Sequence, residues 1–449
     1  MNLPVPPIPR RALALRAYGL ATWLAQPLLR RKLRRRALAE PGYGEVVEER
    51  FGRYGEAARG TGWCWVHAVS LGEARAAGIL ITALRAADPR LRLLLTHGTA
   101  TGRAEGARWL RPGDLQVWQP WDSPGAVARF LDRFRPRVGV LMETEVWPEL
   151  TAACAERGLP LALANARLSA KSLAAAERLP WLSRPAYRSL AAVWAQSDDD
   201  AARLASLGAP VAGVFGNLKF DAAPDEAQLA QGRAWRVASG RPVVLLASSR
   251  EGEEAQWLAA LSGLRRPAAA DSTRPPRPEP QWLVVPRHPQ RFDQIEALIR
   301  QAGLSVSRRS ASAGVPPAAD VWLGDSLGEM ALYYALADVA LLGGSFEALG
   351  GQNLIEAAAC GCPVVMGPST FNFAEAATLS IAAGASLRVA DLKSGVDEAL
   401  GLLAEPERRN AMVRAALGFS KANRGCAQRT ASAVLALASE AEQRSNSRA

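Results

Sequence analysis

Gly350-Gly-Gln-Asn-Leu-Ile-Glu356 is the stretch that decides the fold, and it lies between two apolar runs, Val339-Ala-Leu-Leu-Gly-Gly344 and Val364-Val-Met366. This pattern predicts a buried strand, a glycine turn and a short helix that begins at Asn353. The glycines allow the backbone to approach a ligand closely, and the free N–H groups of a helix N-terminus bind phosphate. A carboxylate one turn into the helix, at Glu356, can accept hydrogen bonds from a ribose diol. The stretch is typical of a site that binds a nucleotide sugar.

From residue 60 onward, apolar runs alternate with amphipathic stretches, which predicts a series of βαβ units. The strands predicted in the first half are Trp63–Val69, Leu91–Thr96, Leu115–Trp118, Arg137–Met142, Leu159–Ala164, Val193–Gln196 and Val211–Phe215. Those predicted in the second half are Val243–Ala247, Trp282–Val285, Ser305–Ser307, Val321–Leu323, Val339–Leu342 and Val364–Met366. Two of the predicted helices are Gly72–Ala86 and Pro124–Phe134.

The rhythm stops at a polar passage after Phe220 and then restarts, which predicts two Rossmann-like, doubly wound α/β domains joined near residue 222. Such domains bind ligands at the carboxyl ends of their strands, so we expect a GT-B fold with a central cleft. The predicted divisions are a basic amphipathic segment at 1–40, an acceptor-binding domain at 41–221, a donor-binding domain at 222–425 and a C-terminal helix and tail at 426–449. Residues 264–281 are expected to form a surface insertion, and Glu405–Glu440 to cross back onto the first domain.

The composition indicates a globular protein of two or three domains, with 449 residues, 49% of them hydrophobic. Five cysteines without a framework spacing, among them Cys360 and Cys362, indicate buried free thiols in a reducing compartment. A metal site at this pair is the weaker alternative, because no histidine lies near it. No Walker A sequence and no G-x-S-x-G motif occurs, which disfavours kinase and hydrolase activities.

The N-terminal segment carries much of the net charge of +11, with nine Arg or Lys residues between Arg10 and Arg36 and no acid before Glu40. Leucines, Tyr18 and Trp23 alternate with these charges. The apolar part is shorter than the roughly 18–20 residues of a spanning helix. We therefore expect an amphipathic helix on an anionic membrane surface. An ordinary helix packed on the domain is the alternative, and nucleic-acid binding is disfavoured because no stacking aromatic platform follows.

Val69-Ser-Leu-Gly-Glu73 closes the first strand and begins a helix. The carboxylate of Glu73 would lie in the first helical turn, where it can take a proton from an attacking hydroxyl. An equally weighted alternative is that Glu73 only complements the helix dipole.

Met142-Glu-Thr-Glu-Val-Trp-Pro148 follows another buried strand. Glu143 or Glu145 could orient a base or stabilise developing positive charge there. Alternatively, both are acids at the start of the helix that begins near Pro148.

Asn165-Ala-Arg-Leu-Ser169 and Gly216-Asn-Leu-Lys-Phe-Asp221 also close strands with polar or basic groups. Lys219 could lie near a leaving phosphate or a sugar carboxylate, or it could be a solvated charge.

In the second half, Pro286-Arg-His-Pro-Gln-Arg291 follows a strand, and Arg287 is the arginine best placed to bind a nucleotide phosphate.

Ser248-Ser-Arg-Glu-Gly-Glu-Glu254 begins a helix. Either phosphate binding or a helix N-cap by Ser249 explains the small residues there. Asp198-Asp-Asp200 contains a D-x-D pattern that is associated with metal binding, but its place before a helix favours an acidic N-terminal turn.

Taken together and in order, these segments resemble the 3-deoxy-D-manno-octulosonic acid (Kdo) transferases of lipopolysaccharide biosynthesis. The matching stretches are His67-Ala-Val-Ser-Leu-Gly-Glu73, Trp121-Asp-Ser-Pro-Gly-Ala126, Arg129-Phe-Leu-Asp132, Met142-Glu-Thr-Glu145, Asn165-Ala-Arg-Leu-Ser169, Gly216-Asn-Leu-Lys-Phe-Asp221, Gly252-Glu-Glu254, Val285-Pro-Arg-His-Pro289, Leu323-Gly-Asp-Ser-Leu-Gly-Glu329, Gly343-Gly-Ser345 and Phe371-Asn-Phe373. They cover the chain from about residue 18 to 430.

The resemblance implies an inverting transfer of Kdo from CMP-Kdo to a lipid A precursor, without metal or resident cofactor, at the cytoplasmic side of the inner membrane. It implies that Glu73 is the proton acceptor and that Glu143 and Lys219 stabilise the transition state. The CMP contacts that it implies are Pro286, Arg287, Leu327, Gly328, Glu329, Asn353, Leu354, Ile355 and Glu356. The partners implied are CMP-Kdo, the lipid A precursor and anionic membrane lipid, with no nucleic acid.

This chain departs from the family pattern at three places. Gln352, Leu354 and Ile355 stand where Gly-Gly-His-Asn-Pro-Leu-Glu is common, Arg250 stands where a histidine is common, and Ser326-Leu327 replaces a common Thr-Met. Three other functions stay open at this point. The first is a GT-B transferase that uses a different nucleotide sugar on a lipid-linked acceptor, and the second is a non-catalytic scaffold at a membrane surface. The third is a basic RNA-binding protein.

Overall fold

The structure, a computed structural model, describes residues 13–55, 60–265 and 279–447. It divides into two compact units, the first containing the chain up to Asp221 and again from Arg424, and the second containing Ala222–Asn423. The beginning of the predicted basic segment (1–12) and most of the predicted insertion (266–278) lie outside the described residues.

A parallel seven-stranded sheet forms the centre of the first unit, in the order β3-β2-β1-β4-β5-β6-β7. Its strands are β1 (Cys64–His67), β2 (Leu93–His97), β3 (Leu115–Trp118), β4 (Val138–Met142), β5 (Leu161–Ala166), β6 (Ala192–Ala195) and β7 (Val211–Val214). Cys64 is in register with Leu93 of β2 and with Val138 of β4. Every residue of β1, β2, β4, β5 and β6 is buried, as expected for strands covered on both faces.

Helices cover both faces of this sheet. They are α1 (Leu13–Leu24), α2 (Gln26–Ala39), α3 (Leu71–Ala87), α4 (Ala100–Gly106), α5 (Pro124–Phe134), α6 (Pro148–Glu156), α7 (Ala170–Glu177), α8 (Pro180–Arg188) and α9 (Asp198–Ser206). One core layer joins the strands to α3, and the other joins them to α5 through buried aromatic residues such as Phe130 and Phe134.

The second unit contains another parallel seven-stranded sheet, in the order β10-β11-β9-β8-β12-β13-β14. Its strands are β8 (Val243–Ser249), β9 (Gln281–Pro286), β10 (Val306–Arg308), β11 (Val321–Leu323), β12 (Val339–Leu342), β13 (Val364–Met366) and β14 (Ser386–Arg388). Its helices are α10 (Glu226–Ala238), α11 (Glu253–Arg265), α12 (Phe292–Gln301), α13 (Met330–Leu336), α14 (Leu354–Ala359), α15 (Ala374–Ala382), α16 (Leu392–Ala404) and α17 (Pro406–Ala422). The buried side chains of β8, β9 and β12 form its core together with α11, α12 and α16.

The last helix, α18 (Cys426–Asn446), belongs to the first unit and packs against α3. Asp221 is the last residue of the first unit before the chain enters the second. It accepts hydrogen bonds from the backbone N–H groups of Gly425 and Ala427. One side chain therefore satisfies donors that the start of α18 would otherwise leave unpaired.

The two Rossmann-like sheets predicted from the sequence are confirmed. The predictions missed β14, because Ser386-Leu-Arg388 is a three-residue edge strand without an apolar run. The stretch predicted as one helical region, Glu405–Glu440, is two helices, because Gly425 breaks it with a φ of +90°. No helix in the described ranges combines the length and the apolarity needed to cross a membrane.

We expect Asp221→Ala to weaken the attachment of α18, because two backbone donors lose their acceptor. The free energy of unfolding should fall by about 1–2 kcal/mol, and the amides of α18 should exchange faster with deuterium than in the parent protein. Asp198→Ala, at an exposed acid in the first turn of α9, is the matched control. Unchanged exchange in α18 would contradict the role given to Asp221.

Candidate active site

In each unit the strand order reverses beside the first strand of the sheet, and stretches predicted from the sequence to form the site lie at each of these reversals. In the first unit the order reverses between β1 and β4, and in the second between β8 and β12. Open α/β sheets bind ligands at the carboxyl ends of the strands at such a switch point. Glu73 follows β1 and Glu143 follows β4, whereas Arg250 follows β8 and Gly343 follows β12.

Glu73 is held at the start of α3 by local hydrogen bonds. Its carboxylate accepts from the backbone N–H of Val69 (2.8 Å) and from the hydroxyl of Ser70 (3.0 Å). Ser70 is in turn the N-cap of α3, because its Oγ accepts from the backbone N–H of Glu73. The position of Glu73 in the first turn of α3 also suits the interaction with the helix dipole that was the alternative from the sequence. The hydrogen bonds from Val69 and Ser70 fix its carboxylate in one orientation.

The protonation of Glu73 is set by its surroundings. Burial raises the pKa of this carboxyl to about 7, the hydrogen bond from Val69 opposes the shift, and the charges of Glu143 and Glu145 add to it. A carboxyl with a pKa near neutrality can accept a proton and release it again at physiological pH. This is the property required of a general base.

Glu143 and Glu145 do not cap the helix that follows them. Asp122, from another loop, accepts hydrogen bonds from the backbone N–H groups of Glu149 and Leu150 at the start of α6. Glu145 instead accepts from the indole N–H of Trp147 (2.9 Å), and burial raises its pKa. The alternative that these acids merely begin a helix is therefore wrong.

Glu143 is buried and adopts a φ of +58°, which is uncommon for a residue with a side chain. Its carboxylate pairs with the guanidinium of Arg167, which follows β5, at 2.9 Å between Oε2 and Nε. Strained backbone of this kind is concentrated at functional sites.

A chain of side-chain amides connects the ends of β5, β6 and β7. Asn165, with a φ of +52°, accepts on Oδ1 from the backbone N–H of Leu218 and on its carbonyl oxygen from Gln196 Nε2. Gln196 accepts from Asn217 Nδ2, and Asn217 accepts from the backbone N–H of Lys219. The turn that carries Lys219 is thus fixed at the same edge of the sheet as Glu73 and Glu143.

In the second unit, the buried carboxylate of Glu253 connects the two turns at the switch point. It accepts from the backbone N–H groups of Arg250 (2.9 Å), Gly344 (2.8 Å) and Phe346 (3.1 Å). Burial raises the pKa of Glu253, although these three donors favour its ionised form. Glu253 therefore holds the loop after β8 and the loop after β12 in a fixed relation.

The turn after β12 has little room for side chains. A Cβ added at Gly343 would lie 2.3 Å from the carbonyl oxygen of Ser248, so glycine is required there. Gly344 has a φ of +70°, and a Cβ added to it would lie near Gln352 (3.0 Å) and Arg250 (3.6 Å). Two of the residues at which this chain departs from the family pattern are thus neighbours.

Arg287 lies immediately after β9, is exposed, and donates its backbone N–H to the carbonyl of Ser249. The other arginine of this motif, Arg291, is engaged differently, because it forms a bidentate ion pair with the buried carboxylate of Glu254. Ser249 donates its hydroxyl to the same carboxylate and is not a helix N-cap. Arg287 is therefore the arginine of the motif that faces solvent.

The loop Leu327–Glu329 follows β11. Leu327 is 72% exposed, Gly328 has a φ of +80°, and the carboxylate of Glu329 pairs with Arg309 at 2.9 Å. An exposed apolar residue between these polar groups is available for contact with a flat ligand such as a base.

Residues 339–359 form the strand, glycine turn and short helix that the sequence predicts. Asn353 is the N-cap of α14 and accepts from the backbone N–H of Ile355 (3.2 Å). The side chains of Leu354 and Ile355 are buried, so their contacts with a ligand would be made by their backbone. Glu356 lies in the first turn and is half-buried.

Comparison with known proteins fits this geometry. Residues 45–222 match the family model of 3-deoxy-D-manno-octulosonic-acid transferase (kdotransferase). The chain is 51% identical over 426 residues to the 3-deoxy-D-manno-octulosonic acid transferase of Bordetella pertussis, covering 93% of this chain and 98% of that protein. It is 30% identical to the enzyme of the same name from Haemophilus influenzae, covering 92% and 96%. The chain belongs to the Kdo transferase family.

This Kdo transferase is accordingly a glycosyltransferase, and its fold agrees with that of solved relatives. A glycosyltransferase from Rickettsia africae superimposes with a TM-score of 0.52 over 85% of this chain and 98% of that one, at 13% identity. A likeness at that identity concerns the fold alone.

Two other motifs of the transferase have structural roles. Asp198-Asp-Asp200 forms the first turn of α9, and Asp200 accepts from the backbone N–H of Leu168 and pairs with Arg203. All five cysteines are buried free thiols. Within the described ranges, no three His, Cys, Asp or Glu residues form a group suited to a metal ion.

Sequence reasoning missed Asp122, Gln196 and Glu253 as residues that hold the site together. Asp122 and Glu253 lie inside stretches that match the Kdo transferase family. Their hydrogen-bond partners lie far along the chain, so the sequence does not show what these carboxylates bind.

We expect Glu73→Gln to make the transferase more stable at pH 8. The raised pKa means that the ionised carboxylate is less favourable in the folded than in the unfolded state, a penalty that is complete above pH 7 and disappears as the pH falls toward the ordinary value of 4.5. The gain in unfolding free energy should be about 1–3 kcal/mol at pH 8 and much smaller at pH 5, measured by urea denaturation. Glu177→Gln, at an exposed carboxylate, should show no such pH dependence.

Proposed function

We propose that this Kdo transferase moves Kdo from CMP-Kdo to a lipid A precursor in lipopolysaccharide biosynthesis, with inversion at the anomeric carbon and release of CMP. The observation that carries the proposal is Glu73, a half-buried carboxylate with a pKa of about 7 at the carboxyl end of β1, next to Glu143. A base of this strength matches the deprotonation of a sugar hydroxyl.

In the proposed step, a hydroxyl oxygen of the acceptor forms a bond with the anomeric carbon of Kdo. The bond between that carbon and the phosphate oxygen of CMP breaks, and its electron pair leaves with CMP. The hydroxyl proton passes to Glu73. The hydrogen bonds from Val69 and Ser70 keep the carboxylate oriented for this transfer.

Positive charge develops on the sugar as CMP leaves, and negative charge develops on the phosphate. We assign Glu143 to the first charge and Lys219 to the second or to the sugar carboxylate. Fixed groups of this kind stabilise a transition state because they need no reorganisation during the reaction. The backbone of Glu143 and the amide chain that ends at Lys219 supply that fixation.

The second unit would bind the CMP part of the donor. Arg287 would contact the phosphate, Pro286 and Leu327 the nucleoside, and the carboxylates of Glu329 and Glu356 the ribose hydroxyls. The backbone of Gly328 and of residues 353–355 would supply further hydrogen bonds. Glu253 supports this assignment, since it holds the loops after β8 and β12 at the switch point where such ligands bind. The proposal includes no metal ion and no resident cofactor.

We also propose that the enzyme lies on the cytoplasmic face of the inner membrane. Leu20, Trp23, Leu24 and Leu28 are more than half exposed on α1 and α2. Arg31, Lys32 and Arg34–Arg36 are exposed on α2. Apolar side chains beside a basic helix suit an anionic bilayer, where both kinds of contact contribute to binding.

Mass spectrometry of a lipid A precursor, after incubation with CMP-Kdo and purified protein in detergent with EDTA, tests the function. One or more added Kdo masses are expected. No added mass either with EDTA or with a divalent metal in its place would overturn the proposal, and added mass only with the metal would overturn its metal-free part.

We expect Glu73→Gln to lower turnover by about 10²–10⁴-fold while CMP-Kdo still binds. In the parent enzyme, turnover should rise with pH to a plateau above about 7, because Glu73 must be ionised to accept the proton. Initial rates from pH 5 to 9 measure both effects. A variant with parental rates would remove Glu73 from this role.

Arg287→Ala should weaken CMP binding by about 10-fold or more, because a guanidinium–phosphate contact is lost. Calorimetric titration with CMP measures the affinity. Arg300→Ala, at an exposed arginine of α12 that pairs with Glu296, should leave the affinity unchanged. Equal affinities in all three proteins would show that Arg287 does not contact the nucleotide.

Trp23→Ser combined with Leu24→Ser should reduce co-sedimentation with anionic vesicles several-fold, because apolar contact with the bilayer is lost. Neutral vesicles should bind the parent protein less well than anionic ones. Val237→Ser, at an exposed valine of α10, is the control. Undiminished sedimentation of the double variant would exclude α1 as the contact.

A further inference from the structure

Arg167 is the first residue after β5, and Glu143 is the first residue after the neighbouring strand β4. Its backbone N–H donates to the carbonyl oxygen of Glu143 (3.2 Å), and its Nε lies 2.9 Å from the Oε2 of the same residue. The two residues are thus joined by both backbone and side chain, across the ends of neighbouring strands.

The two members of this ion pair differ in exposure. The side chain of Glu143 is 7% exposed, whereas that of Arg167 is 55% exposed. A buried carboxylate needs a partner, and the guanidinium of Arg167 supplies the opposite charge through its Nε side. A guanidinium has five N–H donors in a planar fork. The terminal Nη groups therefore remain for a second anion on the solvent side.

The backbone beneath this pair is held in an unusual conformation. Glu143 (φ +58°) and Asn165 (φ +52°) both lie in the left-handed region, at the ends of adjacent strands. Each such residue costs about 1–3 kcal/mol and persists only where its surroundings impose it. Here the imposing contacts are the hydrogen bonds from Glu143 N–H to Ala164 and from Leu218 N–H to Asn165. A surface ion pair with no further task requires no such arrangement.

The negative charges around Arg167 explain why an anionic substrate would need this cation. Glu73, Glu143 and Glu145 lie close enough for their charges to interact. Three carboxylates at one edge of a sheet repel an anionic substrate, and the sugar acid that this family transfers carries a carboxylate. A cation in contact with the cluster offsets that repulsion where the substrate approaches.

We propose that Arg167 binds an anionic group of a substrate through its exposed Nη groups while its Nε holds Glu143 in place. The anion is the carboxylate of the transferred sugar acid or a phosphate of the acceptor, both of which match the bidentate geometry of a guanidinium. This inference rests on the proposed function and adds a substrate-binding residue to the same site.

The test compares the parent enzyme with Arg167→Gln and Arg167→Lys. Arg90→Gln, at an exposed arginine in the turn before β2, is the matched control. Arg167→Gln should raise one KM by about 10–100-fold with a smaller fall in kcat, because a charge-assisted bidentate contact is lost. Arg167→Lys should recover part of this, since it keeps the charge but not the fork. The thermal unfolding midpoint of each variant checks that it is folded.

The two sources of the anion separate in this experiment. A rise in the KM for CMP-Kdo assigns the contact to the sugar carboxylate. A rise in the KM for the acceptor that disappears with a dephosphorylated acceptor assigns it to a phosphate. A fall in kcat with both KM values unchanged overturns substrate binding by Arg167 and leaves it a positioning residue for Glu143. Parental kinetics in Arg167→Gln overturn both roles.

Failure of the proposed function gives a different result, namely no product from the parent enzyme. Binding of free Kdo and of glucosamine 1-phosphate, each observed by saturation-transfer NMR, then decides the role of Arg167 for the two kinds of anion. A signal from the parent protein that is lost in Arg167→Gln supports the contact, and equal signals, or none from either protein, overturn it.

Discussion

The central strands of the two parallel sheets are buried on both faces, and the polar groups of the proposed site lie where these strands end. Strands such as β1 and β4 contain only buried residues, so the charged side chains of the site lie beyond the ends of these strands. Where the strand order reverses, the loops after the two adjacent strands lead to opposite sides of the sheet and leave a crevice between them. The carboxylates of Glu73 and Glu143 lie at that point in the first unit, and the turns at Arg250 and Gly343 lie at it in the second.

Buried carboxylates have two distinct tasks in this enzyme. Glu253 and Asp122 receive backbone N–H donors from loops distant in sequence, and so they hold those loops together. Glu73 receives only local donors, and its burial, together with the charges of Glu143 and Glu145, favours its protonated form. The same chemical group is thus a structural anchor where backbone donors from distant loops reach it, and it is the proposed proton acceptor at Glu73. Asp221, which connects the start of α18 to the first unit, is of the anchoring kind.

The departures from the family pattern are not scattered. Gln352 and Arg250 come from different loops, yet both approach Gly344, which cannot carry a side chain without strain. A permanent positive charge at Arg250 and a neutral amide at Gln352 take the places where histidines are common. Any effect on the donor site is therefore a combined one, and the two substitutions are close enough for their energies to be non-additive.

The sequence by itself determined the two Rossmann-like domains and most of their strands, and it predicted a division near residue 222 and the stretches proposed to contain the site. Continuous apolar runs predict buried parallel strands, and polar residues directly after them indicate the edge of the sheet at which ligands bind. It could not determine that Asn165 supports the turn of Lys219, that Asp122 rather than Glu143 caps α6, or that Arg167 pairs with Glu143. Each of these contacts joins residues that the sheet, not the chain, makes neighbours. Burial and the surrounding charges, which set the pKa of Glu73, also exist only once the strands are assembled.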